Sequence, residues 1–320
     1  MTRAMVLQPA QRVTSRSSAS VRRESPTTLM FGVGAPRCGT TWLHHFLAEH
    51  PDCHFRGIKE LHYFDAMHWR RTDWVLKRLE SEVRRIEWHA TAGSDLERPK
   101  ILNALADTQE YLRLVRQRTD DRGAYSRFLL NGKGTRKLVG DITPAYALLP
   151  TSVLRDMAAM SGASRFVYLM REPVERLWSH VRMAVRQART ATEDYERHAF
   201  EILADLFAGR EEQHQQILPY SDYASAIGRL NESVPTDRLL VMFTEDLYTP
   251  TGLRRLCKFL GIRPVRGDFA TKVNDTRLLS LPDELRAEVR RHLRPQYEFA
   301  AKYFPSLPEA WQRTMSEGFA

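Results

Sequence analysis

Cysteine is scarce in this chain: three residues in 320, at positions 38, 53 and 257. An odd, widely spaced set supports neither a disulfide framework nor a zinc site. No stretch reaches the roughly 20 consecutive apolar residues that a membrane helix needs. Long blocks of one charge are also missing. The formal charge is +9, and residues 1–27 carry +4 of it through Arg3, Arg12, Arg16, Arg22 and Arg23 against Glu24. A basic nucleic-acid arm would need a denser block, so nucleic acid is not an expected partner. The same stretch lacks the apolar core of a secretory signal. It reads as a disordered N-terminal tail on a cytoplasmic protein. Internal repeats are absent.

What is present is 42% apolar content, ordinary for one large α/β domain or two small ones. Residues 29–43 read Leu-Met-Phe-Gly-Val-Gly-Ala-Pro-Arg-Cys-Gly-Thr-Thr-Trp-Leu. An apolar strand runs into a Gly/Pro turn, and a Thr pair opens a helix. Backbone N–H groups at such a junction converge on an anion, aided by the helix dipole. Gly34 and Gly39 have the spacing of a nucleotide-hydrolysing P-loop, yet Thr40 follows Gly39 where that motif requires Lys. The loop's cation is Arg37. A kinase-like phosphotransferase would lose its main β/γ-phosphate contact, and its only candidate acidic strand end is Asp141.

A second apolar run, Phe166–Met170, ends in Arg171, followed by Pro173 at a helix start and by Arg176 and Ser179 on one helical face. Strand ends of this kind are where open α/β sheets bind ligands. An Arg and a hydroxyl together suit a phosphate dianion. Lys59-Glu60-Leu61-His62-Tyr63-Phe64-Asp65 places a carboxylate and an imidazole two residues apart; an extended segment would point both to one side, with Lys59 opposite, toward solvent or in a structural role.

Together these segments resemble the sulfotransferases that use PAPS (3'-phosphoadenosine 5'-phosphosulfate), closest to the heparan-type and bacterial branch, over about residues 28–262. Pro-Arg-Cys-Gly-Thr-Thr-Trp is similar to the family's 5'-phosphosulfate loop, and Arg171 with Ser179 to its 3'-phosphate motif. The Glu60 segment is similar to the one that carries the family's catalytic Glu. The resemblance implies Glu60 as general base, His62 as the rival base, and Arg37 as stabiliser of the leaving phosphate. It implies cofactor contacts from Arg37, Cys38, Gly39, Thr40, Thr41, Trp42, Arg171 and Ser179, and from Arg277 in a basic C-terminal segment. It requires no metal. The acceptor it implies is a small molecule, carbohydrate or lipid offering a hydroxyl or amine. A non-catalytic protein that binds the bisphosphate product is the alternative from another class.

Two departures stand out. Leu138–Tyr146 is similar to the family's strand ending in Thr-Pro-Ala-Tyr, but Ile142 stands where heparan-type members carry Lys. Cys38 occupies a position that is usually Ser or another small residue; at a helix N-terminus its thiol pKa should fall, making it sensitive to oxidation. Asp141 and Tyr146 suit either substrate contact or a buried hydrogen bond.

Periodicity predicts strands at about 28–34, 137–142, 166–170 and 238–243, alternating with helices at 173–188, 196–207, 223–233, 251–260 and 281–302, the last kinked or broken at Pro295. Residues 69–89 and 101–118 read as a helical pair, with Trp74, Leu79, Ile86, Leu102 and Leu112 on its apolar stripes. Strand–helix alternation predicts a three-layer α/β fold of P-loop type, with a mostly parallel central sheet between helices. The expected organisation is one domain over 28–320, with a helical insertion at about 66–136 that shapes the acceptor site.

Overall fold

A computed structural model describes residues 26–92, 98–188, 191, 194–210, 214, 216–269 and 279–319. Residues 1–25 of the N-terminal tail and Arg277 therefore lie outside the described residues. Five strands build one sheet: β1 Thr28–Gly34, β2 Cys53–His54, β3 Leu138–Ile142, β4 Ser164–Met170 and β5 Leu239–Phe243. Their order is β2-β3-β1-β4-β5, and every pairing is parallel. β1 is central, pairing Phe31 with Asp141 on one side and with Phe166 on the other. Strands buried on both faces must be apolar throughout, which is why β1 and β4 read as unbroken runs rather than alternating ones. Met30, Phe31, Phe166, Val167 and Leu169 are all fully buried. Each such side chain contributes about 1.5–3 kcal/mol.

The helices are α1 Thr40–Glu49, α2 Tyr63–His68, α3 Thr72–Ala92, α4 Arg98–Arg116, α5 Arg122–Leu130, α6 Thr151–Ala159, α7 Pro173–Gln187, α8 Tyr195–Ala208, α9 Tyr223–Ser233, α10 Thr244–Leu247, α11 Pro250–Leu260, α12 Asp283–Tyr303 and α13 Glu309–Ser316. They cover both faces, as the α/β reading requires. Chain order leaves β1 toward β2 and β3 on one side and toward β4 and β5 on the other. Such a sheet opens its crevice at the carboxyl ends of the strands flanking that reversal. The loop after β1 stands there.

Several boundaries differ from the sequence reading. α12 runs through Pro295 without a break. The helical pair is α3 and α4, which pack on each other, but Trp74 and Leu102 are about half exposed and lie off the buried stripe. Residues 60 and 62 are not extended: Glu60 has φ 60° and His62 φ 56°, both left-handed. No helix among the described residues is long and apolar enough to cross a membrane.

Candidate active site

A cleft of about 990 Å³ opens at the carboxyl end of the sheet. Its floor is the loop between β1 and α1. Gly39 caps α1 in the left-handed region, φ 85°. A Cβ there would lie 3.0 Å from the Tyr248 hydroxyl and 3.3 Å from Thr244. Only glycine takes that conformation and that close approach without strain. Thr244 fixes the loop by donating to the carbonyls of Cys38 at 2.8 Å and Met170 at 2.9 Å. Arg37, Thr40, Thr41 and Trp42 line the cleft.

Cys38 does not behave as the sequence suggested. Its side chain is fully buried beside the Tyr223 hydroxyl, and burial pushes the thiol up to about 11. Desolvation outweighs the helix N-terminus. Trp42 is buried and also lines the cleft: it stacks between Phe46 and Phe269, meets Tyr248 edge-on, and donates to the Asp268 carbonyl at 2.9 Å.

The two anion motifs meet in space. Arg37 Nε donates to Ser179 Oγ at 3.0 Å, and Arg171 Nη1 donates to the Arg37 carbonyl at 3.4 Å. Arg37 has hydroxyl and thioether partners but no carboxylate among the described residues. Burial and then the charges of Arg186, Arg171 and Arg182 lower its pKa to about 10. Such a concentration of positive charge favours an anion between its members. Arg176 instead points inward. It is fully buried and donates to the Ile217 carbonyl and Ser221 Oγ.

On the other wall, Glu60 is held between two cations. Lys59 Nζ contacts Oε1, and His62 Nε2 lies 3.6 Å from Oε2. Lys59 therefore does not face away: the left-handed turn at Glu60 brings their side chains together. Burial alone would raise the Glu60 pKa, but His62 and Lys59 outweigh it and hold it at about 2. Burial would lower His62, yet hydrogen bonding to Asp65 at 2.8 Å and to Glu60 raises it to about 9. At neutral pH the pair is carboxylate and imidazolium. Left-handed non-glycine residues cost free energy and cluster at functional sites.

A model of the sulfotransferase family matches residues 30–265. The chain belongs to that family. The crystal structure of a sulfotransferase from Alicyclobacillus acidocaldarius covers 90% of this chain and 99% of its own, with TM-score 0.59 and 19% identity, a likeness of fold. Sulfotransferase domains from the curacin biosynthetic pathway and from the Synechococcus PCC 7002 olefin synthase each cover 92% of the chain, and 97% and 94% of their own length. Their identities are 21% and 19%, and their TM-scores 0.44 and 0.46. No curated relative matches this chain in sequence.

Asp141 of this sulfotransferase is buried and accepts hydrogen bonds from Tyr146 at 2.6 Å, Tyr125 at 2.7 Å and Thr143 at 2.7 Å. Three hydroxyls occupy the acidic strand end that a kinase-like reading would give to a metal. Ile142 is buried against Gly32, so β3 brings no cation to the cleft.

Sequence reasoning missed several residues in and around the cleft. Arg78 donates to the carbonyls of Lys59, at 3.4 Å, and Glu60, and its guanidinium stacks over Trp74. Trp74 in turn packs edge-on to His62, centroids 4.9 Å apart. Their i, i+4 spacing on one helix was the available signal. Glu175 bridges Arg171 at 3.7 Å and Arg286 at 3.0 Å. No motif announces Arg286, which reaches the cleft from α12.

Proposed function

We propose that this sulfotransferase moves a sulfuryl group from PAPS to a hydroxyl or amine of a small-molecule, carbohydrate or lipid acceptor. The observation that carries the reading is the convergence of Arg37, Arg171 and Ser179, from two separate motifs, beside the left-handed Gly39. The residues suit a 3',5'-bisphosphorylated nucleotide. Arg37 and the loop amides at the start of α1 would hold the 5'-phosphosulfate, with Thr40 and Thr41 beside them. Arg171 and Ser179 would hold the 3'-phosphate, and the exposed ring of Phe269, backed by Trp42, would offer a face to the base. PAPS supplies an already activated sulfuryl group, so the cations required are side chains and no metal enters.

Glu60 lines the same cleft as this cluster. Within reach of an acceptor hydroxyl it takes the proton as that oxygen attacks. Arg37 is preorganised to offset the charge that grows on the leaving phosphate. His62, held protonated by Asp65 and Glu60, orients the carboxylate and cannot itself act as base in that state. An ordered base in the same cleft as the cation cluster argues against a protein that merely binds the bisphosphate. Arg78 and Trp74 come from α3 and brace the Glu60–His62 segment, through which the insertion would shape the acceptor side of the cleft.

The test is release of 3',5'-bisphosphoadenosine from PAPS with mixed phenol, carbohydrate and lipid-alcohol acceptors. Wild-type protein should release it acceptor-dependently and Glu60→Gln should not. Equal release by both would transfer the base role to another group.

A further inference from the structure

Glu60 is engaged on both oxygens, and the three cations that meet its residue are tethered differently. His62 is fixed by Asp65 at 2.8 Å and by the Trp74 ring. Arg78 commits its guanidinium to the carbonyls of Lys59 and Glu60. Lys59 reaches Glu60 through a flexible stem, one quarter exposed, and holds the carboxylate by its ammonium alone. His44, four residues along α1 from Thr40, feels the positive charge of Lys59 and the negative charge of Glu60 after burial itself, which pushes it down to about 4. Glu60, which Lys59 contacts, lines the same cleft as Thr40 and Thr41 at the start of α1. β3 ends in buried Ile142. Arg37 lies across the cleft, committed to Ser179.

We propose that Lys59 is the second cation of the reaction centre. In the free enzyme its ammonium rests on Glu60; with the donor bound it moves to an oxygen of the sulfuryl group and unmasks Glu60 as base. This deepens the function proposed above and rests on it. In the transfer, the acceptor oxygen forms its bond to sulfur while the bond from sulfur to the bridging phosphate oxygen breaks. The electron pair of the broken bond stays on the 5'-phosphate beside Arg37, and the acceptor proton passes to Glu60. Lys59 keeps its proton throughout and donates hydrogen bonds, first to the carboxylate and then to the sulfuryl oxygen. A carboxylate clamped by an ammonium and an imidazolium is a poor base; exchanging the ammonium for the sulfuryl group loosens that clamp and ties base activation to the presence of donor.

The test needs no acceptor. Calorimetric affinities for PAPS and for 3',5'-bisphosphoadenosine, which lacks the sulfuryl group, are compared in wild type, Lys59→Met and Glu60→Gln. Lys59→Met should lose about tenfold or more in PAPS affinity, the scale of one charge-assisted hydrogen bond, with bisphosphate affinity within about twofold of wild type. Glu60→Gln, which frees the ammonium, should bind PAPS more tightly and the bisphosphate unchanged. An unchanged PAPS-to-bisphosphate ratio in both variants overturns the role of Lys59 and leaves the cofactor reading standing. Wild-type protein that binds neither ligand removes the cofactor reading, and this inference with it. A misfolded variant would lose both ligands together, so its bisphosphate affinity reports that case, and Glu60→Gln then decides.

Discussion

Arg37 Nε donates to Ser179 Oγ at 3.0 Å, joining two motifs 142 residues apart at the mouth of one parallel sheet. Each motif alone is an ordinary strand-to-helix turn. The bond brings the two loops side by side, with the strand order as the cause: β1 and β4 are neighbours, so the loops that follow them are too. Replacing Arg37 by Ala should weaken binding of 3',5'-bisphosphoadenosine and reduce transfer by about 10²–10³-fold, the usual cost of removing one preorganised charge donor. Titration and turnover of the variant check this; unchanged turnover would remove Arg37 from the leaving-group role.

Arg171 lies on the same cluster but belongs to the 3' end of the ligand in this account. Arg171→Ala should weaken ligands carrying a 3'-phosphate by about tenfold or more and leave ADP nearly unchanged. The two affinities, measured side by side, decide it. Equal losses would refute the assignment.

Glu60→Gln should keep bisphosphate affinity nearly intact and lower turnover by about 10²-fold or more, as expected for a lost general base. Retained activity would move the base to His62, a demanding role for an imidazole held protonated up to about pH 9.

That pairing has a signature in stability. Folded His62 titrates at about 9 against an ordinary 6.5. A raised pKa stabilises the fold fully below pH 6.5, and the contribution drains away as pH rises through about 9. Glu60, depressed to about 2, contributes above its ordinary 4.5 and loses that only in strong acid. The stability gap between wild type and His62→Gln should therefore shrink between pH 6.5 and 9. Urea unfolding across that range measures it; a constant gap contradicts the ion pair.

Asp141 answers a different question, since its three hydroxyl partners make it part of the scaffold. Asp141→Ala leaves those hydroxyls buried and unpaired, at about 1–3 kcal/mol each, so a loss of roughly 3 kcal/mol or more is expected. Denaturant titration checks it, and a loss under 1 kcal/mol would mean that water or a new partner replaces the carboxylate.

Much of this architecture was legible from residues alone because buried parallel strands advertise themselves. Apolar runs ending in Gly34, Met170 and Phe243 fell within a residue or two of the observed strands. Their punctuation by Pro173 and Gly261 marked helix ends by fixed backbone chemistry. The two-residue β2 carried no periodicity to detect. The Glu60 segment was misread for a physical reason: strand-like alternation assumes extended backbone, and tertiary contacts hold Glu60 and His62 in the left-handed region instead. That is also why Lys59 was assigned to the wrong side. Thiol chemistry at Cys38 failed on burial, which sequence position does not report. Arg286 comes to the cleft, and Arg78 to the backbone of Glu60, through helix packing, with no motif of their own.

On the function proposed above, this cleft holds a nucleotide carrying phosphates at both 3' and 5' positions. Calorimetric titration of the wild-type protein with 3',5'-bisphosphoadenosine, alongside ATP with Mg2+, decides the matter. Tight binding of the bisphosphate with weak binding of ATP is the predicted result. Preference for ATP with Mg2+ would contradict the account and point back to phosphoryl transfer.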